Sequence, residues 1–141
     1  MERLPVMGPE RLILLVESDP IDGAGLEPED SYPARLERAL RARGVNGRLV
    51  TVRADGGGAA LKAQIARLQG KPALALVSGT ADAEVVSTVA AAVPVHRLDL
   101  ENPLRGKPDL FVRGGKGLTV RGVEELVGAT ADGIAQAMPR E

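Results

Sequence analysis

The chain has 141 residues, 44% of them hydrophobic, and a net charge of −1 from 18 basic and 19 acidic side chains. That is the size of one domain, long enough to bury roughly two-thirds of the surface its unfolded form exposes. The absence of cysteine excludes disulfides, thiolate catalysis and zinc–thiolate sites; the charge balance provides no field for steering a polyanion; and Tyr32 and Phe111, the only aromatic residues, leave no stacking platform for single-stranded nucleic acid.

Residues 1–10 carry two prolines and a glycine without periodicity and read as a loose lead-in to a single α/β domain over 11–141. Residues 11–16 (RLILLV) form a continuous aliphatic run, as expected of a strand buried on both faces of a parallel sheet. The run is too short for a membrane span or signal-peptide core, and the expectation is a soluble, cytoplasmic protein. Residues 20–30 read as a loop. Ser31 and Pro33 then signal a helix start, with Leu36, Ala39 and Leu40 at helical spacing and Gly44 as the stop.

Residues 48–54 alternate and are β-branched, predicting a second strand. A glycine loop at 55–58 follows, then a helix marked by Leu61, Ile65 and Leu68 that stops at Gly70. Residues 73–77 predict a third strand, 82–92 a short helix and 93–100 a fourth strand. A short segment begins at 110–112, and the last helix is expected over 119–138, with Gly128 and Gly133 as points where it breaks. Strand and helix alternating in this way predict a three-layer, doubly wound sheet of about four to five mainly parallel strands. No linker or internal repeat interrupts it.

Ligands of open parallel sheets bind beyond the carboxyl ends of the strands. The loops expected there, 17–25, 55–58, 78–82 and 113–117, are also the most polar and glycine-rich of the chain. Asp55-Gly56-Gly57-Gly58 before a helix has the chemistry to cradle an anion, but a plain turn is the favoured reading, since no GxGxxG or Walker spacing is present. Lys116 adds a cation to a second glycine loop but is not followed by Ser or Thr, so that loop is no P-loop. Asp19, Asp22, Glu27, Glu29 and Asp30 fit no EF-hand spacing and read as a solvated acidic loop; no metal and no cofactor is expected. A receiver domain is set aside, because the third strand ends Leu76-Val77-Ser78-Gly79 without a phosphate-accepting Asp.

The stretch LVESDPIDGAGLEPEDSYPARLERAL, residues 15–40, resembles the opening block of the SGNH (GDSL-type) hydrolases, in particular their lysophospholipase and thioesterase branch. Glu17-Ser18 stands for the Asp-Ser pair that ends the first strand, and residues 23–33, through Ser31-Tyr32-Pro33, follow the next motif. The resemblance implies a flavodoxin-like sheet and a serine nucleophile at Ser18. It places the oxyanion glycine at Ala54 or at Gly56–Gly57, and the Gly-x-Asn-Asp block at Gly79-Thr80-Ala81-Asp82. The Asp-x-x-His pair falls at Gly114 and Gly117, ahead of Thr119 and Gly122. The Asn, Asp and His are therefore missing, and one strand–helix unit of the family is missing between Asp82 and Val93.

Without a base a serine hydroxyl is a poor nucleophile. The leading expectation is thus a non-catalytic relative, a pseudoenzyme that serves as a protein-interaction or small-ligand-binding module. Its ligand surface, suited to a protein partner or a small anionic or acyl ligand, would be built from Glu17, Ser18, Ala54, Gly56, Gly57, Gly79, Ala81, Gly114 and Gly117. One alternative is a weak ester or thioester hydrolase using Ser18, with His96 or a partner as the source of a base. Another is an accessory subunit of a larger complex. Ser18 as a mere turn cap and His96 as an ordinary edge histidine are the competing plain readings. Self-association is compatible with the size, with no interface indicated.

Overall fold

Aliphatic side chains on both faces of β1 (Arg11–Glu17) commit it to the middle of the sheet. A computed structural model describes residues 10–17, 27–53, 57–79, 81–100, 102–110 and 118–138. β1 pairs in parallel with β2 (Gly47–Arg53) on one side and β3 (Leu74–Ser78) on the other, and β3 pairs in parallel with β4 (Val95–Leu98). The order is β2-β1-β3-β4, a four-stranded, doubly wound parallel sheet as expected.

The register fixes which side chains share a face. Ile13 and Leu15 lie beside Leu74 and Leu76 and pack under α1 (Tyr32–Ala42) and α4 (Val120–Ala137). Leu14 and Val16 lie with Ala75 and Val77 on the opposite face, under α2 (Gly57–Ala66) and α3 (Ala83–Ala90). These are the three layers predicted, with a core that is almost wholly aliphatic.

The element ends differ from expectation in specific ways. β1 and β3 run one residue further, through Glu17 and Ser78, because Glu17 pairs with Arg53 and Ser78 with Leu98. β4 is shorter than 93–100, and Pro28–Asp30 and Pro108–Leu110 are 3-10 turns. α4 does not break at Gly128 or Gly133. Leu126, Val127, Ala131 and Ile134 are buried around both glycines, and that packing outweighs a propensity cost of about 1 kcal/mol for each. Ser31 caps α1 as predicted, its hydroxyl accepting from the Ala34 amide at 3.4 Å. The lead-in 1–9 lies outside the described residues.

The Tyr32 ring is the exception to the aliphatic core. It is fully buried, and its hydroxyl lies 2.7 Å from that of Thr130 on α4. Thr130 already donates to the Leu126 carbonyl at 2.8 Å, so the proton between the two hydroxyls comes from tyrosine. Burial pushes the Tyr32 hydroxyl well above its ordinary value. Below about pH 10 the group is neutral folded and unfolded; above it only the unfolded chain ionises. Stability is therefore expected to fall with rising pH from about 10 upward, and tyrosinate absorbance to appear only as the protein unfolds. Denaturant titrations at several alkaline pH values check this, and Tyr32→Phe should lose about 1 kcal/mol at neutral pH and flatten the alkaline slope. An exposed-type tyrosine titration in the native protein would overturn it.

Candidate functional site

Strands are added to one side of β1 as far as β2 and to its other side from β3 onward, so the switch point of the sheet is the carboxyl edge where Glu17 and Ser78 end the parallel strands β1 and β3. Ser18, the expected nucleophile, lies outside the described residues, as do Ala54, Gly56, Gly114 and Gly117. Of the predicted site, the structure places the Glu17 backbone, Gly57, Gly79 and Ala81. Glu17 closes β1 and Gly79 follows β3, on adjacent strands. Gly57 opens α2 with φ +85°, a conformation that disfavours a side chain.

The turn after β3 is tightly held. The Gly79 amide donates to the Leu98 carbonyl at 2.8 Å, its carbonyl accepts from Arg97 Nη2 at 2.7 Å, and the Ala81 amide donates to the Ser78 carbonyl at 3.0 Å. A Cβ on Gly79 would stand 3.2 Å from the Leu98 carbonyl oxygen, so the close approach of the β3 and β4 ends is what glycine permits there. The N–H groups of Gly79 and Ala81, both in the expected ligand surface, are therefore consumed within the fold.

The second half of the expected glycine loop 55–58 is helix, with Gly57 and Gly58 in the first turn of α2, and the Gly58 amide is likewise used. It donates to Glu84 Oε1 of α3 at 3.2 Å, so the helix N-terminus already faces an anion, supplied by the chain itself. The Glu84 carbonyl is further bonded by the Thr88 hydroxyl at 2.7 Å. Neither Glu84 nor Arg97 was expected from the sequence. Glu84 lies 26 residues from Gly58 in sequence, and no local pattern links them.

His96, the only histidine of the chain, sits two residues below the carboxyl end of β4, beside Leu76. β3 separates it from β1, a spacing of roughly 10 Å between strand axes. Its ring lies over Gly133 of α4, where an added Cβ would stand 3.7 Å from Nε2. It is a half-buried packing residue under a helix and does not belong to the edge.

Thr119 and Gly122, the two residues retained from the last motif, have structural roles. Thr119 caps α4, accepting from the Gly122 amide at 3.1 Å, and its hydroxyl and amide both donate to the Leu110 carbonyl, at 3.0 and 2.9 Å. Gly122 lies flat against that same carbonyl, with no room for a Cβ.

Among the described residues no group of three or more His, Asp or Glu side chains is arranged to hold a metal, and no helix is long and apolar enough to cross a membrane. Asp30, from the acidic stretch, is paired with Arg35 at 2.9 Å. An open recess of about 330 Å³, between Leu12, Arg48, Gln69 and Lys71, lies at the amino edge of the sheet, away from the switch point.

No protein-family model matches the chain, and no curated protein matches it. Solved structures do. The crystal structure of AlinE4, described as a SGNH-hydrolase family esterase, aligns with a TM-score of 0.60 at 26% identity, covering 96% of this chain and 100% of the other. An aspartate-to-alanine variant of that esterase aligns with a TM-score of 0.61 at 25% identity, and a serine-to-alanine variant with 0.60 at 26%, over the same shares of each chain. Along nearly its whole length, then, this chain carries an SGNH-like α/β fold, similar to that of a known esterase and wound on a four-stranded parallel sheet.

Proposed function

We propose that the chain is a non-catalytic SGNH-like domain that binds a small anionic or acyl ligand, or a protein partner, at the carboxyl edge between β1 and β3. The observation that carries this is the place of its sole histidine. His96 is committed to packing under α4, two strands from the end of β1, while Gly114 and Gly117 occupy the sequence positions where the family supplies its Asp and His. A serine hydroxyl without a general base stays protonated and attacks poorly at neutral pH. The ligand surface on this reading is Glu17, Ser18, Ala54, Gly56, Gly57, Gly79, Ala81, Gly114 and Gly117. With the amides of Gly79 and Ala81 used internally, its recognition groups are Ser18 and the remaining glycine backbone.

A fluorophosphonate probe tests the catalytic half of the proposal. No labelling is expected under conditions that label an active serine esterase fully, and stoichiometric labelling at Ser18 would refute it. For the binding half, amide shifts on titration with a short-chain carboxylate such as butyrate are expected at Glu17, Gly57 and Gly79. Shifts confined to the amino-edge recess would move the site elsewhere.

The likeness to an esterase favours a second reading, a weak ester or thioester hydrolase using Ser18 with a base supplied by a partner. On that reading labelling appears only when the partner is added.

A further inference from the structure

The two edges of the sheet are finished differently. On β2 some of the outward-facing peptide groups, those at Leu49 and Arg53, are bonded by the chain's own side chains. Glu37 Oε2 accepts from the Leu49 amide at 2.9 Å, and the Gln64 side-chain amide accepts from the Arg53 N–H at 3.0 Å while donating to the Arg53 carbonyl at 2.8 Å. Gln64 thus imitates one peptide of a neighbouring strand. Natural sheets block edges in this way against unwanted pairing.

β4 has no such cover among the described residues. The Ala75 amide donates to the Pro94 carbonyl and the Gly79 amide to the Leu98 carbonyl, both at 2.8 Å. With Leu76 beside His96 and Val77 beside Arg97, Pro94, His96 and Leu98 present their peptide groups to β3. The N–H and C=O groups of Val95 and Arg97 therefore face outward. Arg97 is a charge of the kind that protects edges, yet its guanidinium is turned inward onto the Gly79 carbonyl at the end of β3.

We propose that this edge pairs antiparallel with β4 of a second copy of the chain, about a two-fold axis at His96. Val95 and Arg97 flank His96 symmetrically, so the rotation sets Val95 of each copy opposite Arg97 of the other. Each such pair exchanges both of its hydrogen bonds, about four in all. Across the axis Val95 faces the aliphatic stem of Arg97, Arg97 does not meet Arg97, and His96 stands opposite His96 of the second copy. With a net charge of −1 the copies repel little. A second copy fits better than a free peptide, because a four-residue strand offers few bonds while a copy also brings its flanking α3 and α4. The two-fold uses up the β4 edge of both copies, and Glu37 and Gln64 interrupt the β2 edge at Leu49 and Arg53, which favours a closed dimer with one continuous sheet of about eight strands.

Sedimentation equilibrium at pH 8 across the micromolar range tests this. The wild type is expected at twice the 14.7 kDa chain mass. Arg97→Pro removes an outward N–H that β3 does not use, so it should keep its circular dichroism and sediment as a monomer. Arg97→Ala keeps the peptide group and should remain dimeric. A wild type that stays monomeric throughout, or a dimer unaffected by Arg97→Pro, overturns the proposal. If Arg97→Pro does not fold, wild-type amide exchange decides: Val95 and Arg97 amides should be protected when concentrated and lose protection on dilution, and fast exchange from a dimer also overturns it.

Discussion

Gly122→Ala is expected to lower the unfolding free energy by about 3 kcal/mol, while Gly128→Ala in the same helix raises it by roughly 1 kcal/mol. The two positions differ in what a methyl group meets. At Gly122 it meets the Leu110 carbonyl oxygen, with the Leu118 side chain 3.1 Å away; at Gly128 it meets nothing within 4 Å. The carbonyl cannot retreat, because Thr119 holds it through both its amide and its hydroxyl. Relief must come from shifting α4 or losing its cap, and either loosens Val123 and Leu126, which are packed beneath α1. In a domain of this size roughly 3 °C of melting temperature accompanies each kcal/mol, so the two variants should melt about 12 °C apart. Indistinguishable melting temperatures would show that the junction between Leu110 and α4 is not the tight contact described.

That junction also shows how far the sequence could be read. A Thr and a Gly at 119 and 122 resemble a catalytic motif, yet their physical work is capping and close approach, needed by this helix whether or not a base precedes it. The strands were legible because runs such as 11–16 are buried on both faces, which leaves an unbroken aliphatic signature. Their last residues were not, since Glu17 and Ser78 are drawn into the ladder by partners on other strands. Helix α4 reads as breakable at Gly128 and Gly133 because local propensity counts each glycine as a cost, while the packing around them is invisible until α1 and β3 are in place. For the candidate site, the sequence pointed to the carboxyl edge through loop composition. The amides of Gly58 and Gly79 are committed to Glu84 and Leu98, and those partners come from distant elements that no motif spacing encodes.

Hydrolysis of p-nitrophenyl acetate by this chain is expected to run on the order of 10⁴-fold or more below that of a complete serine esterase, and Ser18→Ala to leave the residual rate unchanged. On the proposed reading Gly114 and Gly117 supply neither base nor orienter, and the serine proton then has no route out as the acyl–oxygen bond forms. On the same reading Ala81 stands where the family has its Asn, and the lack of that oxyanion donor costs roughly 10² to 10³ by itself. The two effects would not add, because a hydroxyl without a base gains little from an oxyanion hole. His96 offers no substitute while its ring rests against Gly133, so His96→Gln should be as silent as Ser18→Ala. Gly114→Asp combined with Gly117→His should instead raise the rate, by an amount that Ser18→Ala abolishes. A wild-type rate that falls a hundredfold on removing the Ser18 hydroxyl would mean that a base reaches this serine from elsewhere, and the binding-module reading would give way to the hydrolase.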